Sequence, residues 1–224
     1  MEFGYFTLSD NHYANNPRSA NDFVLEIRDQ AVLADKLGYH SVWVGEHHFD
    51  SLGVNSRPDL LLASVAPLTK NVRLDKAVGA YRDACVKAGK KPGRAMCSYF
   101  IYIADNEKEE NYGREAQMRY FRECALPAFT MKPEHAPPTM HYFLKIVNIL
   151  ENMKKEDLSD KSILLGSPQK IIDTLKTVEA SGIEEVILYF NVGAKPNALV
   201  QEQMHKFMEL IAPHFEGKHK LRRA

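Results

Sequence analysis

Short apolar runs alternate with longer amphipathic segments along most of the chain, and this alternation predicts strands separated by helices. β-Branched and aromatic residues dominate the short runs, as expected of strands buried in a sheet. About five or six strands are predicted: Phe3–Leu8, Ser41–Glu46, a stub at Val72, Met96–Ala104, a short strand at Ile163, and Val186–Phe190. Strands and helices that alternate at this spacing are typical of a parallel sheet with helices packed against it.

Start and stop signals define the predicted helices. The first runs from about Asp22 to Leu37 and ends before Gly38, a residue type that favours helix C-termini. Pro58 suits the first turn of the second helix. The pattern predicts further helices from Asp75 toward Gly89, and at about Glu107–Leu126, Met140–Met153, Pro168–Ala180 and Ala198–Ile211.

Composition and charge exclude several classes of protein. Twenty-nine basic residues balance 29 acidic ones, so no net charge attracts nucleic acid or an anionic membrane. Neither a signal peptide nor an apolar run of ~20 residues is present, which predicts a protein outside the membrane. The three cysteines lack CxxC or zinc-ligand spacing, which indicates a reducing compartment and a cytoplasmic location.

A polar cluster follows the second strand directly: Glu46, His47 and His48. Polar groups at the carboxyl end of a buried strand occupy the position of the active site in α/β barrels. Imidazole titrates near neutral pH, so a histidine here can transfer protons, although both histidines can equally be structural. Neighbouring residues on a strand face opposite sides, which argues against one metal ion bound by the whole cluster.

Three further residues are weaker candidates for the same site. Phe6 ends the first strand and Asn191 follows the last one, so in a barrel both would face the same mouth. Alternatively, Phe6 is an ordinary core residue and Asn191 an ordinary turn residue. Ser167 opens a helix, and helix N-termini bind phosphate, but an ordinary helix cap has the same sequence.

Three stretches carry a family resemblance: Phe3-Gly4-Tyr5-Phe6, Glu46-His47-His48-Phe49, and Gly166-Ser167-Pro168 through Phe190. They resemble the bacterial luciferase-like flavin-dependent monooxygenases. The resemblance implies a TIM-barrel-derived α/β fold, reduced flavin (FMN or F420) as cofactor, and O₂ as oxidant of a small organic substrate such as an aldehyde or alkane. It also implies that His47 is the catalytic acid or base, that Glu46 orients His47 or a water, and that a separate flavin reductase is a partner.

The middle of the family pattern has no counterpart in this sequence. The third strand stops at Leu74, and Asp75 begins a helical pattern that the family places before its seventh strand. We therefore predict one domain over residues 1–224, with an incomplete (β/α) barrel and a segment missing at the 74/75 junction. An unclosed sheet has open edges. Three explanations are possible for the open edges: a second copy of the chain covers them, the segment Met131–Met153 covers them, or the protein has lost a part by truncation or mis-splicing. We favour the first, a homodimer.

Two functions are compatible with the sequence. The first is a flavin-dependent monooxygenase in which His47 transfers protons. The second is a non-catalytic relative that keeps the scaffold and binds a flavin derivative or a partner subunit, because the segment that usually holds the flavin phosphate is missing.

Overall fold

A computed structural model describes residues 1–48, 52–76, 95–129, 141–159 and 163–215. Its strands are β1 (Glu2–Thr7), β2 (Ser41–Val44), β3 (Arg73–Lys76), β4 (Met96–Ile103), β5 (Ile163–Gly166) and β6 (Glu185–Tyr189). Its helices are α1 (Ala20–Leu37), α2 (Pro58–Val65), α3 (Glu107–Tyr120), α4 (Leu126–Phe129), α5 (His141–Asn152), α6 (Pro168–Ala180) and α7 (Asn197–Leu210). A π-helical turn, Phe121–Ala125, joins α3 to α4, and 3₁₀ turns lie at Ala66–Leu68, Lys155–Asp157 and Ala212–Phe215.

All the strands form one parallel sheet in the order β3-β2-β1-β6-β4-β5. The predicted α/β class and the incomplete barrel are therefore confirmed. Among the described residues, β3 and β5 are the outermost strands. The central strand β1 pairs with β2 on one side and with β6 on the other, so that Gly4 is in register with both Ser41 and Ile187.

The two faces of the sheet are covered in different ways. The back face carries Tyr5, Val42 and Leu188 and packs against the crossover helices, including α1 and α7. The front face carries Phe6, Trp43 and Tyr189. Crossover helices lie outside a β/α barrel, so the front face is the one that a closed barrel would turn toward its interior.

Helical segments of this chain cover the front face. Tyr120 from α3, Cys124 from the π-helical turn and Leu150 from α5 are buried in one cluster with Phe6 and Tyr189. The segment Met131–Met153 is one possible cover for the sheet edges. Its helix α5 packs instead on a face of the sheet. Its residues 130–140 lie outside the described part of the chain.

Two predicted element boundaries are wrong. Asp75 and Lys76 belong to β3, where they pair in register with Trp43 and Val44, and do not begin a helix. Strand pairing with β2 outweighs the local helical pattern here. The rest of that predicted helix, and Cys85, lie outside the described residues.

The second wrong boundary is the end of the helix predicted at about Glu107–Leu126, directly before Pro127. Helical structure continues without a break through the π-helical turn and Pro127 to Phe129. Proline has no backbone N–H to donate, and directly before it the N–H of Leu126 donates to the carbonyl of Phe121 in the wider π-helical pattern.

Among the described residues, none of the helices combines the length and the apolar character that a bilayer crossing requires.

Candidate functional site

Loops after three adjacent strands meet at the carboxyl edge of the sheet. The backbone N–H of Gly45, after β2, donates to the carbonyl of Thr7 in β1 (2.8 Å). Farther along the same loop, the N–H of Val54 donates to the carbonyl of Ser9 (2.9 Å). The loop after β2 is thus fastened to the loop after β1.

His47 lies in this loop and is half-buried. Its backbone N–H donates to the carbonyl of Asn55 (3.2 Å). Its ring occupies space that two glycines leave open: a methyl group added at Gly45 would lie 3.1 Å from Nε2, and one at Gly53 would lie 2.8 Å from Cδ2. The position of the imidazole therefore depends on residues from both ends of the loop.

Glu46 and His48 face each other at the surface. His48 Nε2 lies 3.0 Å from Glu46 Oε1, and both side chains are nearly half exposed. The structure thus places the Glu46 carboxylate against His48, whereas the resemblance implies that it orients His47 or a water. The role of Glu46 in orienting His47 stays a prediction. Phe49 and Asp50 lie outside the described residues.

Phe6 lies on the front face at the carboxyl end of β1 and is 9% exposed. Its ring centroid is 5.5 Å from that of Tyr189, and Tyr120 packs edge-on against Tyr189 at 6.0 Å. The partly exposed side chains of Leu8 and Leu52 continue this cluster toward His47. The carboxyl edge of the sheet is thus apolar here, with His47 on one side.

Asn191 is fully buried and faces the opposite layer. Its Nδ2 donates to Tyr5 Oη, Thr7 Oγ1 and Gln30 Oε1, each at 3.1 Å. Tyr5 Oη also donates to Gln30 Oε1 (2.6 Å). The amide thus joins β1 and α1 on the back face of the sheet, and its Oδ1 accepts no hydrogen bond from the part of the chain that the structure describes.

Sequence reasoning overlooked Gln30, although the sequence does carry a signal for it. Gln30 is a polar residue within the apolar stripe of α1, between Ile27 and Ala31, and all three are buried. A buried polar side chain needs partners, and here they come from β1 and from the loop after β6.

Ser167 lies far from these residues. It is the N-cap of α6, and its hydroxyl accepts a hydrogen bond from the backbone N–H of Lys170 (3.3 Å). It follows β5, four strand positions from β2, which corresponds to roughly 19 Å along the sheet. The structure does not bring Ser167 together with His47, and a role in cofactor binding stays a prediction.

Two buried charged residues at the same edge, Asp10 and Lys195, were not predicted. Asp10 is completely buried and Lys195 is 1% exposed. Burial lowers the pKa of Lys195 to about 7, while the charge of Asp10 opposes this shift. Burial raises the pKa of Asp10; the backbone N–H of Asp10 itself opposes that shift most, followed by the charges of Lys195 and Arg18. Both residues lie in polar loops without periodicity, so no sequence pattern indicates their burial.

Among the described residues, a group with metal-ligand spacing lies at the opposite end of the sheet. Potential ligand atoms of Glu2, His40 and Glu185 lie within 4.8 Å of one another. Glu2 pairs with His40 at 3.1 Å, and the Ser41 hydroxyl donates to Glu185 at 2.5 Å. These contacts account for the group as an ordinary hydrogen-bonded cluster.

The sequence also matches known proteins. Residues 1–80 match the family profile described as luciferase-like monooxygenase. The alkanal monooxygenase beta chain of Vibrio harveyi is 24% identical over 246 aligned positions, which cover 97% of this chain and 73% of that protein. The N-terminal part of the chain is thus similar to the luciferase-like monooxygenases. The family match includes Phe6, Glu46 and His47 but not Ser167 or Asn191.

Another relative is an uncharacterized protein, y4vJ, of Sinorhizobium fredii, which is 29% identical over 111 residues. The match covers 49% of this chain and 29% of that protein. The chain thus spans less than a third of the length of this relative.

Solved structures share the luciferase-like fold. Monooxygenase RslO1 from Streptomyces bottropensis superposes with a TM-score of 0.69 at 16% identity, covering 96% of this chain and 100% of the other. The oxygenating constituent of 3,6-diketocamphane monooxygenase of Pseudomonas putida, in complex with FMN, gives 0.65 at 14% identity and covers 95% and 98%. An F420-dependent secondary alcohol dehydrogenase with an F420-acetone adduct gives 0.62 at 10% identity and covers 96% and 99%.

Proposed function

We propose that this chain is a flavin-dependent monooxygenase that uses reduced flavin and O₂ on a small organic substrate such as an aldehyde or an alkane. FMN is the proposed cofactor and F420 the alternative, since related folds are described with each. A separate flavin reductase would supply the reduced cofactor. We also propose that the protein works as a homodimer in the cytoplasm.

One observation carries the proposal: His47 lies half-buried at the carboxyl edge of a parallel sheet, within the segment that matches the family. Parallel α/β sheets place their active sites at this edge. Partial burial holds the imidazole in place and leaves part of the side chain at the surface, while its Nε2 is buried. An imidazole that a ligand reaches can hold or accept a proton at a reacting oxygen.

The residues around His47 suit the ring system of a flavin. Leu8 and Leu52 offer partly exposed apolar surface, and Phe6 lies beneath them. The hydroxyl of Tyr189 is buried at the same edge and interacts with the backbone of Leu8. Bound reduced flavin would supply the two electrons that the activation of O₂ requires.

The first test is a titration with reduced and oxidised FMN, and with F420, followed by absorbance and fluorescence. Under this proposal at least one form binds below millimolar concentration. If no form binds up to that limit, the monooxygenase function is excluded for this polypeptide.

The second test replaces His47 by Ala. We expect turnover to fall by roughly 10²–10⁴-fold, because proton transfer by a positioned side chain contributes about that much. Flavin affinity should change little. The matched control is His48→Ala, which removes the neighbouring imidazole from the exposed pair with Glu46. Equal turnover in wild type and His47→Ala would remove His47 from the mechanism.

The covered front face favours a second candidate, a non-catalytic relative that binds a flavin derivative or a partner subunit. Tyr120, Cys124 and Leu150 fill the space in front of Phe6 and Tyr189. A flavin ring could enter that space only if α3 and α5 moved. Flavin binding without turnover in any assay, unaffected by His47→Ala, would support this candidate over the enzyme.

A further inference from the structure

The carboxyl end of β1 supports the loop that carries His47. The backbone N–H of Gly45 donates to the carbonyl of Thr7 (2.8 Å), and the N–H of Val54 donates to the carbonyl of Ser9 (2.9 Å). These two hydrogen bonds lie on either side of His47 along the chain. The position of the His47 loop therefore follows the position of the backbone at residues 7–9.

Residues 7–9 are also in close contact with this loop. A methyl group added at Gly45 would lie 3.4 Å from Leu8 Cα, and one at Gly53 would clash with the carbonyl oxygen of Leu8. The His47 ring borders the same two glycines. A shift of residues 7–9 would therefore move the surroundings of the imidazole as well as the ends of its loop.

The Thr7 side chain controls how the chain leaves β1. Its Oγ1 accepts a hydrogen bond from the backbone N–H of Ser9 (3.0 Å), which is a local turn of the kind that serine and threonine hydroxyls form. Ser9 is completely buried and has a left-handed φ of 63°. A residue with a side chain keeps this conformation only where surrounding contacts impose it. The Thr7 hydroxyl is one such contact, and the carbonyl that it helps to place is the one that binds Val54.

Asn191, in the loop after β6, holds the Thr7 hydroxyl in place. Its Nδ2 lies 3.1 Å from Thr7 Oγ1, and at the same distance from Tyr5 Oη and Gln30 Oε1. Gln30 Nε2 in turn donates to Asn197 Oδ1 at the start of α7 (2.7 Å). Thr7, Asn191, Tyr5 and Gln30 are all completely buried. Buried polar groups are costly to leave unpaired, so this network fixes the orientation of the Thr7 side chain.

We propose that Thr7 and Asn191 are positioning residues for His47: the Thr7 hydroxyl, held by the Asn191 amide, fixes residues 7–9 and thereby the loop after β2. Thr7 can connect the two because its side chain belongs to the buried network, whereas its carbonyl accepts the hydrogen bond from Gly45. The importance of this for catalysis rests on the proposed function, but the effect on the loop does not.

Amide hydrogen exchange of the full chain without flavin tests the effect on the loop. Thr7→Val replaces the hydroxyl by a methyl group of similar size, and Asn191→Ala removes the amide. The reporters are the amides of Gly45 and Val54, and the amide of Ile211, at the end of α7, is the reference. In Thr7→Val we expect both reporters to exchange roughly five- to thirtyfold faster, because one or two hydrogen bonds no longer oppose local opening.

Asn191→Ala should accelerate the same two amides by a smaller factor, because Thr7 Oγ1 still accepts the hydrogen bond from Ser9. It decides the result if Thr7→Val does not fold. Unchanged exchange of both reporters in either variant, or equal acceleration of the reference amide, would overturn the proposal.

Two further variants serve as controls. Thr7→Ser keeps the hydroxyl and should restore the exchange rates of the wild type. Thr174→Val removes a hydroxyl that donates to the carbonyl of Lys170 inside α6 (3.1 Å), and it should leave both reporters unchanged. If Thr7→Ser exchanged as fast as Thr7→Val, the Thr7 hydroxyl would have no part in holding the loop.

The imidazole signals of His47 in NMR spectra give a readout that a general loss of stability does not move. We expect the ring signals of His47 to shift in Thr7→Val and to return in Thr7→Ser, while those of His205 on α7 stay in place. Identical His47 signals in wild type and Thr7→Val would mean that the imidazole is not displaced, and would overturn the positioning role.

Turnover separates this proposal from the proposed function. If the chain is an active monooxygenase, Thr7→Val should lower kcat more than it raises KM, because the substrate still binds while His47 is displaced. An unchanged kcat would overturn the positioning role. If no flavin binds, the monooxygenase function fails, while faster exchange at Gly45 and Val54 would still support the effect of Thr7 on the loop.

Discussion

At the scale of single residues, the site combines one half-buried imidazole with two buried ionisable side chains in the neighbouring loops, Asp10 and Lys195. His47 depends on two glycines for its space, whereas burial shifts the pKa of Asp10 upward and that of Lys195 downward, in each case toward the neutral form. A charge that loses its contact with water costs free energy, so a buried ionisable group makes folding depend on its protonation state. Stability should therefore respond to the protonation state of these two residues.

The substitution Lys195→Met should change how stability depends on pH. Burial lowers the folded-state pKa of Lys195 to about 7, below its usual value of 10.5. Between these two values the unfolded chain binds a proton that the folded protein does not, so Lys195 makes stability rise with pH over this window. We expect the stability of wild type relative to Lys195→Met to increase from pH 7 to pH 10 in urea unfolding.

Lys206→Met is the control for this experiment. The hydrogen bond from Lys206 to Asp105 raises the pKa of Lys206. The contribution of the Lys206 ammonium to stability is fully present below the usual pKa of lysine, 10.5, and is lost only above pH 10. The difference between wild type and Lys206→Met should thus stay flat from pH 7 to 10. A flat difference for Lys195→Met as well would mean that its ammonium is charged throughout this range.

At the scale of elements, the site depends on how closely α3 approaches the loop after β6. The contact is made at Gly193, whose φ is 80°. A methyl group added there would lie 2.2 Å from the backbone carbonyl of Ala116 in α3. Backbone cannot move aside as a flexible side chain can, so glycine is required at this crossing.

Gly193→Ala should destabilise the protein more than Gly182→Ala, and urea unfolding measures both. Gly182 also has a left-handed φ, 89°, but a methyl group there would meet nothing within 4 Å. We expect Gly182→Ala to cost roughly 1–2 kcal/mol from backbone strain alone. Gly193→Ala should cost about 1–3 kcal/mol more, because overpacking adds to the strain. If both variants lost the same free energy of unfolding, α3 would have to move easily to make room for the methyl group at position 193.

At the scale of the whole molecule, the sheet is parallel but open among the described residues, with β3 and β5 outermost. Its front face is covered by helices of the same chain, so a second copy is not needed there. Exposed strand edges favour association with another chain. We therefore attribute the predicted homodimer to the edges of the sheet.

Sedimentation velocity over a concentration series tests this. We expect a dimer at micromolar concentration, because β3 and β5 each pair with one strand among the described residues, and an edge of this kind has backbone donors and acceptors that a partner can use. A monomer over the whole micromolar range would contradict the prediction and would mean that this chain covers its own edges.

Much of the fold and part of the site could be predicted from the sequence. Apolar runs such as Val186–Phe190 indicated strands, because a strand that is buried on both faces of a parallel sheet is apolar along its whole length. The Glu46-His47-His48 motif indicated where one strand reaches solvent. The continuation of β3 through Lys76 and of helical structure beyond Pro127 was missed. In β3, partners distant in sequence outweighed local preference.

The sequence by itself determined the parallel α/β class, the order of the elements and the position of His47 at a strand end, since each of these depends on local patterns. Only the tertiary structure decided that Glu46 faces His48, that Asn191 joins the back face, and that Ser167 lies strands away. It alone revealed Asp10 and Lys195, because their burial results from loops brought together by the pairing of β1 with β6. Contacts between segments about 180 residues apart leave no periodic trace in the chain.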